Sequence, residues 1–142
     1  MTDFRSKASI TINAPPVRVW EALTTPELVK QWFFGVETET DWTVGSPIVH
    51  RGEYEGQPYV DKGTILAFEP EQLLVHTHFS SVSGLPDAPE NYQTVSWRLT
   101  DADGGTELKV TDDNIRSEEA ATTSDQAWES ALSALKELVE SS

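Results

Sequence analysis

Cysteine is absent from the 142 residues, which excludes disulfides and thiolate metal sites. Basic residues are scarce: ten Lys and Arg stand against 24 Asp and Glu, for a net charge of −14. That field repels a polyanion such as DNA or RNA and an anionic membrane surface. No apolar run is long enough for a signal peptide in the opening MTDFRSKASITIN, and none later can span a bilayer. The expectation is a soluble cytoplasmic protein with no nucleic-acid partner and no membrane insertion. Also missing are a Gly-rich phosphate loop, a Ser–His–Asp arrangement, zinc-ligand spacing, internal repeats and low-complexity tracts. The sequence therefore offers no catalytic residue, no metal and no cofactor.

What is present suits one domain spanning residues 1–142. A chain of this size buries roughly 68–70% of its unfolded surface, enough for a core without staples. The acids fall in short groups, Glu37, Glu39 and Asp41, then Asp101 and Asp103, Asp112 and Asp113, Glu118 and Glu119. They read as a solvated surface that keeps the protein soluble. With only five lysines, adaptation to a salty cytoplasm is the sharper alternative.

Ala8 to Asn13 alternates Ile10 and Ile12 with small or polar residues, a strand with one buried face. Pro15 and Pro16 break it and suit the first turn of a helix, where a missing N–H costs nothing. Val17, Trp20 and Leu23 give that helix an apolar side, and Thr25-Pro26-Glu27 starts a second, with Leu28, Val29 and Trp32 as its apolar side. Six strands are expected next, at Phe34–Trp42, Pro47–Glu53, Tyr59–Glu69, Leu73–Ser80, Gln93–Thr100 and Thr106–Thr111. Short turns containing Gly45, Gly56, Pro70 and Gly104 separate most of them, which implies an antiparallel meander. Ser81 to Tyr92, with Gly84, Pro86 and Pro89, is a long loop, either a lid or a decoration. Trp128, Ala131, Leu132, Leu135, Leu138 and Val139 share one face of a final helix. With Thr123 or Ser124 as N-cap, its 17 or so residues run about 25 Å. The fold class expected is α+β: a curved antiparallel sheet of about seven strands around a long C-terminal helix, with two short helices after the first strand. A twisted sheet cannot follow one straight helix along all its edges, so a groove or cavity is left between them.

The order and spacing of several residues resemble a known family. Ile12 with Ala14-Pro15, Val19-Trp20, Ala22-Leu23, Pro26-Glu27, Trp32-Phe33 and Val44-Gly45 carry the first half. Gly63-Thr64-Ile65, Pro70-Glu71-Gln72-Leu73, Gly105-Thr106-Glu107-Leu108 and the Trp128–Leu138 helix carry the second. Together, from about Ile10 to Val139, they resemble the START-like (SRPBCC, helix-grip) superfamily. Within it they resemble the family named after the C-terminal domain of the activator of the ninety-kilodalton heat-shock chaperone's ATPase. Members commonly carry Gly before the helix tryptophan, where this chain has Ala127. The eukaryotic activator has a separate chaperone-binding domain before this one, which is not expected here. The resemblance implies a cavity that holds an apolar small molecule; fold alone does not fix function.

Among individual residues, His50 alternates with Ile48 and points toward the groove, where it would orient a polar ligand group or act in acid–base chemistry. His76 and His78 share a strand face. Without an obvious third ligand they are expected on the outer face, with Val75, Thr77 and Phe79 inward. Trp32, Trp97 and Trp128, with Phe34 and Tyr59, are expected to line the groove and stack on a ligand; Trp20 is assigned to packing. Asp61 and Glu69 lie about 26 Å apart along one strand, too far for a carboxylate pair.

Three functions compete. The first is non-catalytic binding of an apolar or aromatic molecule. The second is a cyclase- or dehydratase-like enzyme using His50 or Tyr59. The third is an interaction module with a chaperone-type partner. A homo-oligomer is compatible with each.

Overall fold

A computed structural model describes residues 4–81 and 84–141, with Tyr54 described by its backbone alone. The strands are β1 (Phe4–Ile12), β2 (Glu37–Thr40), β3 (Pro47–Tyr54), β4 (Gln57–Glu69), β5 (Leu73–His78), β6 (Gln93–Ala102) and β7 (Gly105–Ile115). The helices are α1 (Pro16–Thr24), α2 (Pro26–Trp32) and α3 (Glu118–Ser141). Every strand pair is antiparallel, in the order β1-β7-β6-β5-β4-β3-β2. This is an α+β helix-grip fold: α1 and α2 carry the chain from one sheet edge to the other, and α3 lies on the inner face against β1 and β7.

Local chemistry sets the boundaries. Pro16 and Pro26 occupy the first turns of α1 and α2, where proline's fixed φ is already helical. Glu55 and Gly56 both take positive φ between paired Tyr54 and Gln57, the two-residue turn that matches strand twist. Gly63 is required for another reason. A Cβ there would lie 1.7 Å from the Thr77 carbonyl oxygen, so β4 and β5 approach closely only with glycine at this point.

The core joins Ile12, Val19, Leu23, Val29 and Trp32 to Ile48, Ile65, Leu74, Trp97, Leu108 and Val110, with Ala131, Leu132, Leu135 and Val139 from α3. Thr106 Oγ1 donates to the Ala14 carbonyl at 2.8 Å, seating the entry to α1 on β7.

Several expected boundaries shift: β1 starts at Phe4 rather than Ala8, and β7 runs to Ile115 rather than Thr111. The strand expected over Phe34–Trp42 is only Glu37–Thr40, because Phe34, Gly35 and Trp42 have positive φ and take the chain out of the sheet. The last helix begins at Glu118, not near Asp125, and its cap is Ser117 rather than Thr123 or Ser124. Ser117 Oγ accepts from the Ala120 amide at 3.1 Å. At 1.5 Å per residue its 24 residues run about 36 Å. The segment after His78 holds a 3₁₀ turn at Pro89–Asn91. Tyr92 Oη donates to Asp87 at 2.6 Å, and Lys62 pairs with Asp87.

Candidate functional site

The inner face of the sheet changes character along its strands. At one end Ile48, Ile65, Leu74, Leu99 and Leu108 are buried and apolar. Further along three of these strands the inner positions turn polar. On β3 Ile48 is followed by His50, on β5 Leu74 by His76 and His78, and on β7 Leu108 and Val110 by Asp112. Strand register then aligns them: His50 faces Asp61, His78 faces Gln93, and Val95 stands between His76 and Asp112. The result is a polar belt crossing β3 to β7. Above it, α2 and α3 leave a cavity of about 300 Å³, at the lower end of the size of small-molecule pockets.

One wall of this cavity is aromatic. Trp32 meets Trp97 edge-on at 5.7 Å, Trp97 meets Trp128 edge-on at 5.4 Å, and Phe33 stacks on Trp128 at 6.1 Å. The Trp32 indole N–H donates to the Ala22 carbonyl at 2.7 Å, which fixes the ring between α1 and the cavity. Phe34, 62% exposed, stands at the mouth. Tyr59 lines the other end, its hydroxyl so close to Gly52 that a Cβ there would collide with it.

The belt is electrostatically ordered. His76 Nδ1 lies 3.0 Å from the Thr77 carbonyl, which can only accept, so Nδ1 carries the hydrogen. Nε2 is then free to accept from the Trp97 indole at 3.4 Å. Burial lowers the His76 pKa to about 4, although the Thr77 bond opposes this. Burial also lowers His50, to about 3, with His76 and His78 adding to the effect. Both rings are neutral at pH 7. For His78, burial pulls the pKa down, but the Asp61 hydrogen bond and charge, Asp112 and Gln93 together raise it. Its Nε2 sits 3.1 Å from Asp61 Oδ2. Burial raises Asp112 to about 6, with Asp113 adding to the rise and His78, the Asp113 backbone and the Trp128 indole working against it. Burial, then Asp61, pushes the Tyr59 phenol up, leaving it a donor at neutral pH.

Two buried polar atoms and one ring in the lining have no hydrogen-bond partner among the described residues. Thr38 Oγ1 and Asp112 Oδ1 are buried without a hydrogen bond. His50, 9% exposed, contacts the rings of Phe33, His76 and His78 and makes no hydrogen bond with either nitrogen.

Trp32, Phe34, His50, Tyr59, Trp97 and Trp128 are thus brought together around one space. Trp20 lies elsewhere in the core, edge-on to Phe68 at 5.3 Å. Three assignments are corrected: the outward histidine pair, the inward Phe79 and the solvated Asp112. His76 and His78 face inward, because β5 continues the inner row begun by Leu74. Phe79 is buried away from the cavity, stacked on Tyr92 at 5.1 Å, so its hydrophobicity pointed to the wrong face. The third histidine that the strand pair lacked in sequence is His50, with ring centroids 5.8 and 6.2 Å from His76 and His78. No group of three His, Asp or Glu side chains among the described residues has a geometry that could hold a metal ion. Asp112, grouped above with the solvated acids, is 7% exposed. Its signal was the two-residue period Leu108, Val110, Asp112. Asp61 also joins the site, as the partner of His78 rather than of Glu69.

No described helix is long and apolar enough to cross a membrane. No curated protein matches the chain in sequence. Solved structures do match. The solution structure of ChR145 from Cytophaga hutchinsonii is 40% identical, with a TM-score of 0.85, covering 99% of this chain and 97% of that one. Ara h 8.0201 is 16% identical with a TM-score of 0.78 and 99% coverage of both chains, and shares the fold. So does the Aha1 dimer from Colwellia psychrerythraea, at 21% identity, a TM-score of 0.76 and 96% coverage of both chains. The family model described as Activator of Hsp90 ATPase homolog 1-like protein matches residues 13–140. Nearly the whole chain is covered by that match, and the chain belongs to this family.

Proposed function

We propose that the chain binds an apolar or aromatic small molecule in the cavity between sheet and α3, without breaking a bond in it. Trp32, Phe34, His50, Tyr59, Trp97 and Trp128 would contact the ligand. The observation that carries this reading is the set of unpartnered polar groups, His50, Thr38 Oγ1 and Asp112 Oδ1, beside an aromatic wall. Buried polar groups are almost always hydrogen-bonded, so a cavity that leaves Thr38 Oγ1 and Asp112 Oδ1 unpaired beside His50 is suited to a molecule that pairs them. Native mass spectrometry of gently purified protein tests this. A retained small molecule of constant mass, whose removal lowers the melting temperature by mass action, is the expected result. An empty protein that no apolar probe stabilises would count against it.

A second reading, a cyclase- or dehydratase-like enzyme, draws support from His50, which is neutral with its nitrogens unengaged and so suited to accept a proton. Conversion of the retained molecule on incubation separates it from simple binding. A chaperone-type partner or self-association draws on the family description and on the dimer named for the Colwellia psychrerythraea protein. Size-exclusion with light scattering reports self-association directly.

A further inference from the structure

We infer that the ligand carries a protonated amine, anchored by the Asp112 carboxylate while the aromatic wall holds its apolar body. The inference rests on the binding reading above and adds the chemical class. Asp112 is more than nine-tenths buried, lines the cavity and has Oδ1 without a donor. No lysine or arginine lines this cavity among the described residues. The one histidine in it with a carboxylate partner, His78, is already hydrogen-bonded to Asp61. His50 and His76 are neutral. The lining therefore holds two acidic side chains and no lysine or arginine; Asp61 has His78 as its partner, whereas Asp112 has no cationic side chain bonded to it.

A buried charge demands a partner. A carboxylate ligand would put like charges together, and a neutral ligand would supply a hydrogen bond but no countercharge. An ammonium supplies both, and gains further attraction over the faces of Trp and Phe rings. The net charge of −14 also concentrates cations around the protein and repels anions. Burial raises the pKa of Asp112, and the pull of His78 in the other direction does not offset it. The other groups around it do not replace that ion. Asp61 and His78 form a pair, Asp113 is a like charge, and Trp128 offers a neutral N–H. Arg5, Lys7 and Asp125 lie around a separate, more polar depression that Asp112 also borders.

Three probes of nearly equal shape decide it: 2-phenylethylammonium, 2-phenylethanol and phenylacetate. Binding is followed by tryptophan fluorescence and calorimetry on ligand-free protein. At pH 7.5 the amine should bind at least tenfold more tightly than the alcohol, and phenylacetate more weakly than either. Asp112→Asn, shown folded by circular dichroism, should remove most of that preference by weakening the amine far more than the alcohol. Amine affinity should also fall between pH 7 and pH 5 as Asp112 takes up a proton, with a smaller change for the alcohol. Equal or tighter alcohol binding, or a preference that survives Asp112→Asn, overturns the amine and leaves the cavity a binding site. If no probe binds while native mass spectrometry shows a retained molecule, the amine is again wrong and the binding reading stands. If no probe binds and the protein is also empty, both fall.

Discussion

Replacing Asp112 with asparagine should stabilise the ligand-free protein, and only above a defined pH. The folded-state pKa of Asp112 is about 6 against 3.8 for the unperturbed group. A carboxyl raised in this way favours the folded state while protonated. Its penalty is absent below about pH 4, grows as the unfolded chain ionises first, and is complete above pH 6. A shift of about 2 units at 1.36 kcal/mol each amounts to about 3 kcal/mol. For a chain of this length that is on the order of 10 °C in melting temperature. Asparagine keeps the shape without the charge. Thermal and urea melts of both proteins from pH 4 to pH 8, at constant ionic strength, should coincide near pH 4 and separate through pH 4–6. The gap should then level off with Asp112→Asn the more stable. His50, lowered to about 3, costs stability in both proteins as pH falls below 6.5, and so cancels in the difference. A constant gap, or a variant less stable at pH 7.5, would refute the reasoning and mean that Asp112 is compensated in the fold.

Ala127→Leu should weaken binding of an apolar probe several-fold with less than about 1 kcal/mol lost in stability, since Ala127 is exposed and borders the cavity. Probe titration and urea melts measure both. Gly63→Ala should abolish folding or cost several kcal/mol, because its Cβ meets the Thr77 carbonyl; a variant melting within a few degrees of the parent would show that β4 and β5 can part without penalty. Added sodium chloride should raise the melting temperature up to roughly 0.15 M, where the screening length falls to about 8 Å. A flat trend removes the self-repulsion argument, and a rise continuing into molar salt favours the salty-cytoplasm reading. Zinc should show no tight one-to-one binding in calorimetry, since both His76 nitrogens are engaged. Tight binding lost on His76→Ala would overturn this.

The fold was readable where alternation was strict. Val95, Trp97 and Leu99 on β6, and Leu108 and Val110 on β7, face inward as their two-residue period requires. The start of α3 was not readable, because Glu118 to Ser124 buries only Ala121 and so shows no apolar stripe. The polar belt was hidden for a related reason. Hydrophobicity marks an inner face only while the inner residues are apolar. Beyond Leu74 and Val110 the inner rows continue with His76, His78 and Asp112, while Phe79 is buried elsewhere. Composition cannot distinguish a buried acid lining a cavity from a solvated one; register can, once β7 is known to reach Ile115.

The pairing of β1 with β7 has a consequence for synthesis. Phe4 must meet Ile115, and Ile12 must meet Thr106. At roughly 5–20 residues per second, a ribosome makes the first strand some 5–20 seconds before its neighbour exists. Neither the meander nor α3, which also packs on β1, can seat that strand earlier. The segment that opens the chain is among the last to be locked in place. Its outward positions are Arg5, Lys7, Ser9 and Thr11, a polar row that lets an unpaired strand wait without adhering to another copy.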